Sequence, residues 1–294
     1  MLRRFWTVLP VAVLSLVSPA AHAQVAPALD DLSDEQLQQT VNFVIGNAIF
    51  GVYHEAAQML ISDFSLPVAD GGKDSADELA ATMMLEANEE WLDTAIVNAT
   101  DSWYLARGAD QLPEHNAPLH SVLVPNTERD RQMACLMVGK DAEGYGDLAE
   151  MMGLPKADWK PCETAYPQAV ARWNEVLKPH VKTPGTTKFI TNYEPARDPF
   201  LEIYATMVKE SKVLDLIARG FSAYGLKGEV KLTARSCGRP DAYWSAEKRE
   251  ITYCYELAKF HGELIAAHLL GGGSEKESEP AKEIPTAVNL GQEL

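Results

Sequence analysis

The apolar positions of the chain follow a helical period first and a strand period later. Up to about residue 218 they recur mainly at three- and four-residue intervals, which is typical of helices that bury one face. At 229–235 and again at 251–255, apolar and polar residues alternate, which is typical of half-buried strands. A turn-like segment, 245–249, precedes the second strand. We therefore expect an α+β fold that is mostly helical, with a small sheet or hairpin near the C-terminus.

The first predicted helix begins at a capping box formed by Ser33 and Gln36 and continues to about Ile61. From Val41 onward it is apolar on most of its faces, so we expect a buried central helix. After a loop that contains proline and glycine, a second helix is predicted from about Ser75 into the nineties. Further helices are predicted at 126–138, 167–177 and 199–218.

The N-terminal segment has the three parts of a secretory signal peptide. Two arginines precede a short apolar run, which ends at Ala21-His22-Ala23. The run is shorter than the roughly 20 residues that span a bilayer, although an uncleaved anchor is the alternative. We expect residues 1–23 to be removed, 24–270 to form one domain and 271–294 to be a disordered acidic tail. The expected location is the periplasm or the exterior of a Gram-negative-type bacterium.

Charge narrows the choice of partner. The formal net charge is −16, and removal of the two leader arginines makes it −18. Such a surface repels phosphate backbones and anionic lipids, so we expect no nucleic-acid partner and no membrane span after signal cleavage. A peptide or protein partner remains compatible with this charge, which also favours solubility.

The four cysteines are expected to form two disulfides, because the predicted compartment is oxidising and their number is even. Three pairings are open. We favour Cys135–Cys162 and Cys237–Cys254, since each pair brackets one local unit.

The candidate chemistry lies in the first helix, at His54-Glu55-Ala56-Ala57-Gln58. A zinc-peptidase helix carries two histidines four residues apart and a glutamate beside the first, which places both imidazoles on one face. In this chain Gln58 replaces the second histidine. Asp77 lies downstream in an acidic run, and Lys73 precedes it by four residues.

These motifs resemble those of a bacterial family of exported zinc metallopeptidases of the zincin, or gluzincin, type. Typical members carry His-Glu-x-Gly-His, then Leu-Pro-Val, then an acidic run that ends in Glu-Asp-x-Ala-Asp. The resemblance extends over nearly the whole mature chain in scattered motifs, which are His54-Glu55, Leu66-Pro67-Val68, Asp74, Ala76-Asp77, Cys135, Cys162-Glu163, Cys237 to Tyr243 and Ile251 to Glu256.

The resemblance implies a zincin-like domain with a degenerate metal site. The implied ligand positions are His54, Gln58 and Lys73, with Glu55 as general base and Asp77 as the acid that orients the histidine. Glutamine offers only a neutral amide oxygen, and a lysine ammonium has no lone pair. We therefore expect His54 and Glu55 to be vestigial and no cofactor to bind, unless zinc is held by a site rebuilt from other ligands. Candidates for such ligands are His54, Asp74, Asp77, His115 and His120.

The strand Asp241-Ala242-Tyr243 resembles the Asn-Ala-Tyr strand that lines the substrate cleft of neprilysin-like enzymes, although there the strand precedes the zinc helix.

The favoured function is therefore a pseudopeptidase that binds peptide or protein without cutting it. An active metallopeptidase with substituted ligands and a structural or assembly factor of the cell envelope are the alternatives. A further hypothesis pairs the Lys73 ammonium with Glu55 or Asp77 in the vacated metal position, and a solvent-facing Lys73 is its alternative.

Overall fold

The computed structural model describes residues 29–68, 73–108 and 127–271, without the side chains of residues 73, 74, 108 and 127. The predicted signal peptide, nearly all of the predicted tail, His115 and His120 lie outside these residues. Over the described ranges, no helix combines the length and apolarity that a membrane crossing requires.

The first helix, α1 (Asp34–Phe64), is the centre of the molecule. The Ser33 hydroxyl accepts from the Gln36 amide, the Gln36 side chain accepts from the Ser33 amide, and the predicted capping box is confirmed. Helices α2 (Lys73–Ala87) and α3 (Glu90–Gly108), two later helices at Val213–Phe221 and Tyr255–Leu270, and the sheet pack around α1. As a result nearly every residue of α1 from Thr40 to Ile61 is buried, as its apolar faces predict.

Two predicted helices are interrupted. Asn88 takes a left-handed conformation with φ 52°, so the helix expected from Ser75 into the nineties is in fact α2 followed by α3. Lys212, with φ 55°, likewise divides the helix predicted over 199–218. A left-handed residue ends a helix without disturbing the apolar spacing on either side, so the spacing gave no sign of either break. The remaining helices are α4 (Thr127–Lys140), α5 (Gly146–Met151), α6 (Cys162–Leu177), α7 (Glu202–Glu210), α8 (Val213–Phe221) and α9 (Tyr255–Leu270).

The sheet has four strands in the order β1-β2-β4-β3, which are β1 (Phe189–Tyr193), β2 (Val230–Arg235), β3 (Ala242–Ser245) and β4 (Glu250–Cys254). β1 and β4 run parallel to β2, whereas β3 and β4 form an antiparallel hairpin. The mostly helical α+β class with a small C-terminal sheet is confirmed, but β1 was not predicted. Because β3 pairs with β4 alone in this sheet, its other edge faces α1.

Both favoured disulfides are present in the structure. Cys135–Cys162 joins α4 to α6, and Cys237–Cys254 joins the segment after β2 to the end of β4. Each bridge ties neighbouring elements of one local unit, which restricts the unfolded chain more than the folded one.

Candidate functional site

His54 and Glu55 lie in the middle of α1, at the point where helices and sheet meet. The elements packed around α1 bury both side chains, so that His54 has no exposed surface and Glu55 is only 4% exposed. Burial of an ionisable pair is costly unless each charge is compensated, so the partners of these two residues determine what the site can do.

Asp77, from α2, contacts the histidine directly. Its Oδ1 lies 2.7 Å from His54 Nδ1, which makes Nδ1 the donor when aspartate is ionised. This bond fixes the orientation of the imidazole, and Nε2 lies 3.8 Å from Glu55 Oε1. A carboxylate on Nδ1 is the arrangement that orients histidine ligands in metal sites.

Arg129, from α4, is the cation of the site. Its Nε donates to Asp77 Oδ2 at 2.6 Å, and one terminal nitrogen donates to Asp77 Oδ1 at 2.8 Å. The guanidinium also lies 4.1 Å from the ring centre of Trp103 on α3. Arg129 therefore joins α2, α3 and α4 around one buried ion pair.

Trp244, in the edge strand β3, completes the site. Its backbone N–H donates to Glu55 Oε2 at 2.7 Å, and its indole N–H donates to Ser62 at 2.9 Å. Arg249 also makes a two-bond ion pair with Asp63 near the end of α1. The hairpin of β3 and β4 is thus fastened to α1 along two turns, with its main chain in direct contact with Glu55.

We name His54, Glu55, Asp77, Arg129 and Trp244 the buried cluster. Burial raises the pKa of Glu55 to about 7, although His54 and the Trp244 amide oppose the rise. Burial also opposes ionisation of Asp77, but Arg129 and then His54 overcome it and lower its pKa to about 2. Burial alone would lower the pKa of His54, and Asp77 raises it instead. The cluster therefore keeps Asp77 ionised and makes Glu55 easy to protonate.

The other predicted positions are spread around this cluster. Gln58 lies one turn beyond His54 on α1 and is half-buried. Lys73 begins α2, but its side chain lies outside the described residues, as does that of Asp74, so the hypothesis that pairs Lys73 with Glu55 or Asp77 stays a prediction. The two oxygens of Asp77 already accept from Arg129 and His54.

The predicted substrate strand overlaps β3, and its role in a substrate cleft stays a prediction. Ala242 and Tyr243 belong to β3, while Asp241 precedes it and forms an ion pair with Arg239 at 2.7 Å. Arg235 on β2 lies 3.5 Å from the Tyr243 hydroxyl. The contact with Glu55 comes from the next residue, Trp244.

Within the part of the chain that the structure describes, the donors gathered here do not fit a zinc ion. The His54 imidazole and the Gln58 amide fall short of the three or four N, O or S⁻ ligands that zinc takes, and the Glu55 carboxylate is already held by the Trp244 amide. Among the described residues, one group of three brings its possible ligand atoms within 4.8 Å of one another, namely Cys237, Cys254 and Glu256. Its two sulfurs are joined in a disulfide and offer no thiolate.

Arg129 and Trp244 were missed from the sequence. Arg129 is 52 residues from Asp77 and Trp244 is 189 residues from Glu55, so neither contact follows from local spacing. The signal for Trp244 was nonetheless present, since it directly follows Asp241-Ala242-Tyr243. For Arg129 we find no comparable signal, because its segment has only the pattern of a helix.

Comparison with known proteins places the helical part of this site in a family. A family model described as "Putative metallopeptidase" (DUF4344) matches residues 21–177, which include His54, Glu55, Asp77 and Arg129 and end before the sheet. No curated protein and no solved structure matches the chain. The matched segment covers more than half of the 294 residues, and the chain therefore belongs to this family.

Proposed function

We propose that this protein is a metal-free pseudopeptidase, which binds a peptide or protein and does not cut it. The observation that carries the proposal is the 2.7 Å hydrogen bond from the Trp244 amide to Glu55 Oε2. In a peptidase, the corresponding carboxylate must reach a water and a substrate carbonyl. Here the main chain of β3 holds Glu55, and a peptide entering between β3 and α1 would have to break this bond.

The lost ligands support the same proposal. A catalytic zinc needs three protein ligands and an open position for water or substrate. His54 is wholly buried, and the partner four residues later is a glutamine. The Arg129 guanidinium supplies the positive charge that compensates Asp77, so the site no longer depends on a metal for charge balance.

We place this function outside the cytoplasmic membrane. The two disulfides support an oxidising compartment, because thiols in the cytoplasm are kept reduced. The signal-like N-terminal pattern supports the same location.

An active peptidase with substituted ligands is the second candidate. The observation that favours it is the bond from His54 Nδ1 to Asp77, which leaves Nε2 as the metal-facing nitrogen of a ligand histidine. In that case Glu55 would be the general base.

A cleavage assay separates the two candidates. Incubate the protein with a quenched fluorescent peptide library, with and without a zinc chelator, beside Glu55→Gln and the exposed control Glu163→Gln. For a pseudopeptidase we expect no turnover above that of Glu55→Gln and no effect of the chelator. Turnover that is abolished by both the chelator and Glu55→Gln, but kept by Glu163→Gln, would overturn the proposal.

A further inference from the structure

A groove of about 540 Å³ is lined by α2, α4 and α6, together with Pro67 and Val68 from the segment after α1. Asp77 and Arg129 form part of its lining, whereas His54, Glu55 and Trp244 are not among its lining residues. Its volume falls in the range of roughly 300–1,000 Å³ that is usual for ligand sites. We name this space, with its lining from α2, α4 and α6, the open groove.

The walls of the open groove are fixed in place before any ligand arrives. The Cys135–Cys162 disulfide joins α4 to α6, and Cys135 itself lines the groove. Glu78 on α2 accepts from the Trp173 indole at 2.6 Å and forms an ion pair with Arg172, both on α6. Preformed walls lower the ordering cost of binding.

The charges of the open groove are balanced. Asp77 is paired with Arg129, and Glu78 is paired with Arg172. A charged ligand would have to compete with one of these pairs. An anionic ligand would also be repelled by the protein, whose formal net charge is −16. The balance favours a ligand without net charge, because such a ligand leaves both pairs intact.

The uncharged part of the lining suits a peptide. Gln132 on α4 and Gln168 on α6 are exposed at the mouth, and each amide both donates and accepts, as a peptide bond does. Deeper in the groove lie Met133, Leu136 and the indole of Trp173, all buried. The two glutamine amides can hydrogen-bond to the backbone of a bound peptide. The apolar residues below them can contact one apolar side chain that this peptide directs into the groove.

We infer that the open groove is the site at which the protein holds a short uncharged peptide segment, with an apolar side chain directed between α4 and α6. This inference rests on the proposed function, since it names where a pseudopeptidase would hold its peptide. It moves the peptide away from the β3 edge, where a peptidase of this type would hold it.

The test uses capped tetrapeptides, acetylated and amidated, with alanine at three positions and leucine, phenylalanine, aspartate or lysine at the second. Binding is measured by saturation-transfer NMR on the full mature chain. Ala165→Trp fills the mouth from an exposed position of α6, and Asn174→Trp places the same side chain on the opposite face of that helix as control. Gln132→Met keeps the volume of residue 132 and removes its amide.

We expect the leucine and phenylalanine peptides to bind, Ala165→Trp to abolish binding and Asn174→Trp to leave it unchanged. Gln132→Met should weaken binding by about tenfold, since one or two hydrogen bonds are lost. The inference is overturned if no apolar peptide binds, if the charged peptides bind as well as the apolar ones, or if Ala165→Trp has no effect. Peptide cleavage with intact groove binding would instead overturn the proposed function alone.

Discussion

The buried cluster and the open groove share Asp77 and Arg129, yet they differ in their access to solvent. Next to this ion pair, His54 and Glu55 have the residue types of peptidase chemistry, but they are buried beneath β3. The same ion pair lines about 540 Å³ of open space, in which the carboxylates of Asp77 and Glu78 are already paired with arginines. In this member of the family, the chemical groups and the accessible space are therefore separated.

Two arginine–carboxylate pairs line the open groove, and they differ in how far their side chains are exposed to solvent. The side chains of Arg129 and Asp77 are 6% and 8% exposed, whereas those of Arg172 and Glu78 are 52% and 32% exposed. Breaking a buried pair leaves one charge without its counter-ion and with little access to water, while breaking an exposed pair returns both charges to solvent. The difference predicts unequal effects of similar mutations.

The largest effect is expected from Arg129→Met. This change leaves Asp77 buried without its cation and should lower the free energy of unfolding by about 3–5 kcal/mol. Urea denaturation measures the loss, with Arg131→Met on the same helix as control, since the Arg131 pair with Asp158 is exposed. Adding Asp77→Asn to Arg129→Met should recover part of the loss. A loss below about 1 kcal/mol would mean that the buried cluster does not depend on this pair.

The second prediction concerns pH and Glu55. The pKa of Glu55 is about 7 in the fold against an ordinary value of 4.5, so the folded state binds the proton more tightly than the unfolded chain does. Stability from this group is therefore full below about pH 4.5 and is lost as pH rises through 7. Glu55→Gln mimics the protonated form and should raise the free energy of unfolding at pH 8 by up to about 3 kcal/mol.

Denaturation of Glu55→Gln at pH 4.5 and pH 8 provides the check, with Glu163→Gln as an exposed control. At pH 4.5 the variant should equal the parent protein. If Glu55→Gln destabilises the protein at pH 8, the fold stabilises the ionised carboxylate. The conclusion that burial makes Glu55 easy to protonate would then be wrong.

A smaller effect is expected from the amide of Trp244. Trp244→Pro removes the N–H, while Trp244→Ala removes the side chain and keeps the N–H. The N–H points away from β4, and proline is tolerated at such an edge. At pH 8, Trp244→Pro should be less stable than Trp244→Ala by about 2 kcal/mol, since the acceptor is charged. The gap should narrow to about 1 kcal/mol in a Glu55→Gln background, and an unchanged gap would assign the effect to proline itself.

The smallest effect is expected from Arg172→Ala. Its ion pair is exposed, and Glu78 keeps the bond from the Trp173 indole, so the loss should stay below about 1 kcal/mol. Thermal or urea denaturation at low and high salt measures it. A loss as large as that of Arg129→Met would remove the distinction between the two pairs.

Local signals account for what the sequence predicted well. The capping box at Ser33, the apolar faces of α1, the alternation in β2 and β4 and both disulfide pairings depend on residues that are near in the chain. β1 was missed because Phe189 to Tyr193 have no clear alternation and are mostly half-buried. The breaks at Asn88 and Lys212 were missed because the apolar period continues across them.

The candidate site was predictable only in part, for the same reason. The sequence spacing of His54, Glu55 and Asp77 singled them out as candidate site residues, and they meet in the buried cluster. Their roles as vestigial ligand, base and orienting acid stay predictions. Arg129 and Trp244, which determine the charge and the access, come from distant segments. The likeness of the whole fold to zincins also stays a prediction.

The most direct test of a metal-free, sealed cluster is the zinc content of the mature protein, purified from the periplasm without added metal and measured by mass spectrometry. The double variant Gln58→His with Lys73→Glu serves as the positive control, since it restores the two ligand types that zinc requires. We predict a zinc-to-chain ratio near zero for the parent protein and a higher ratio for the double variant. A ratio near one in the parent protein would contradict the account.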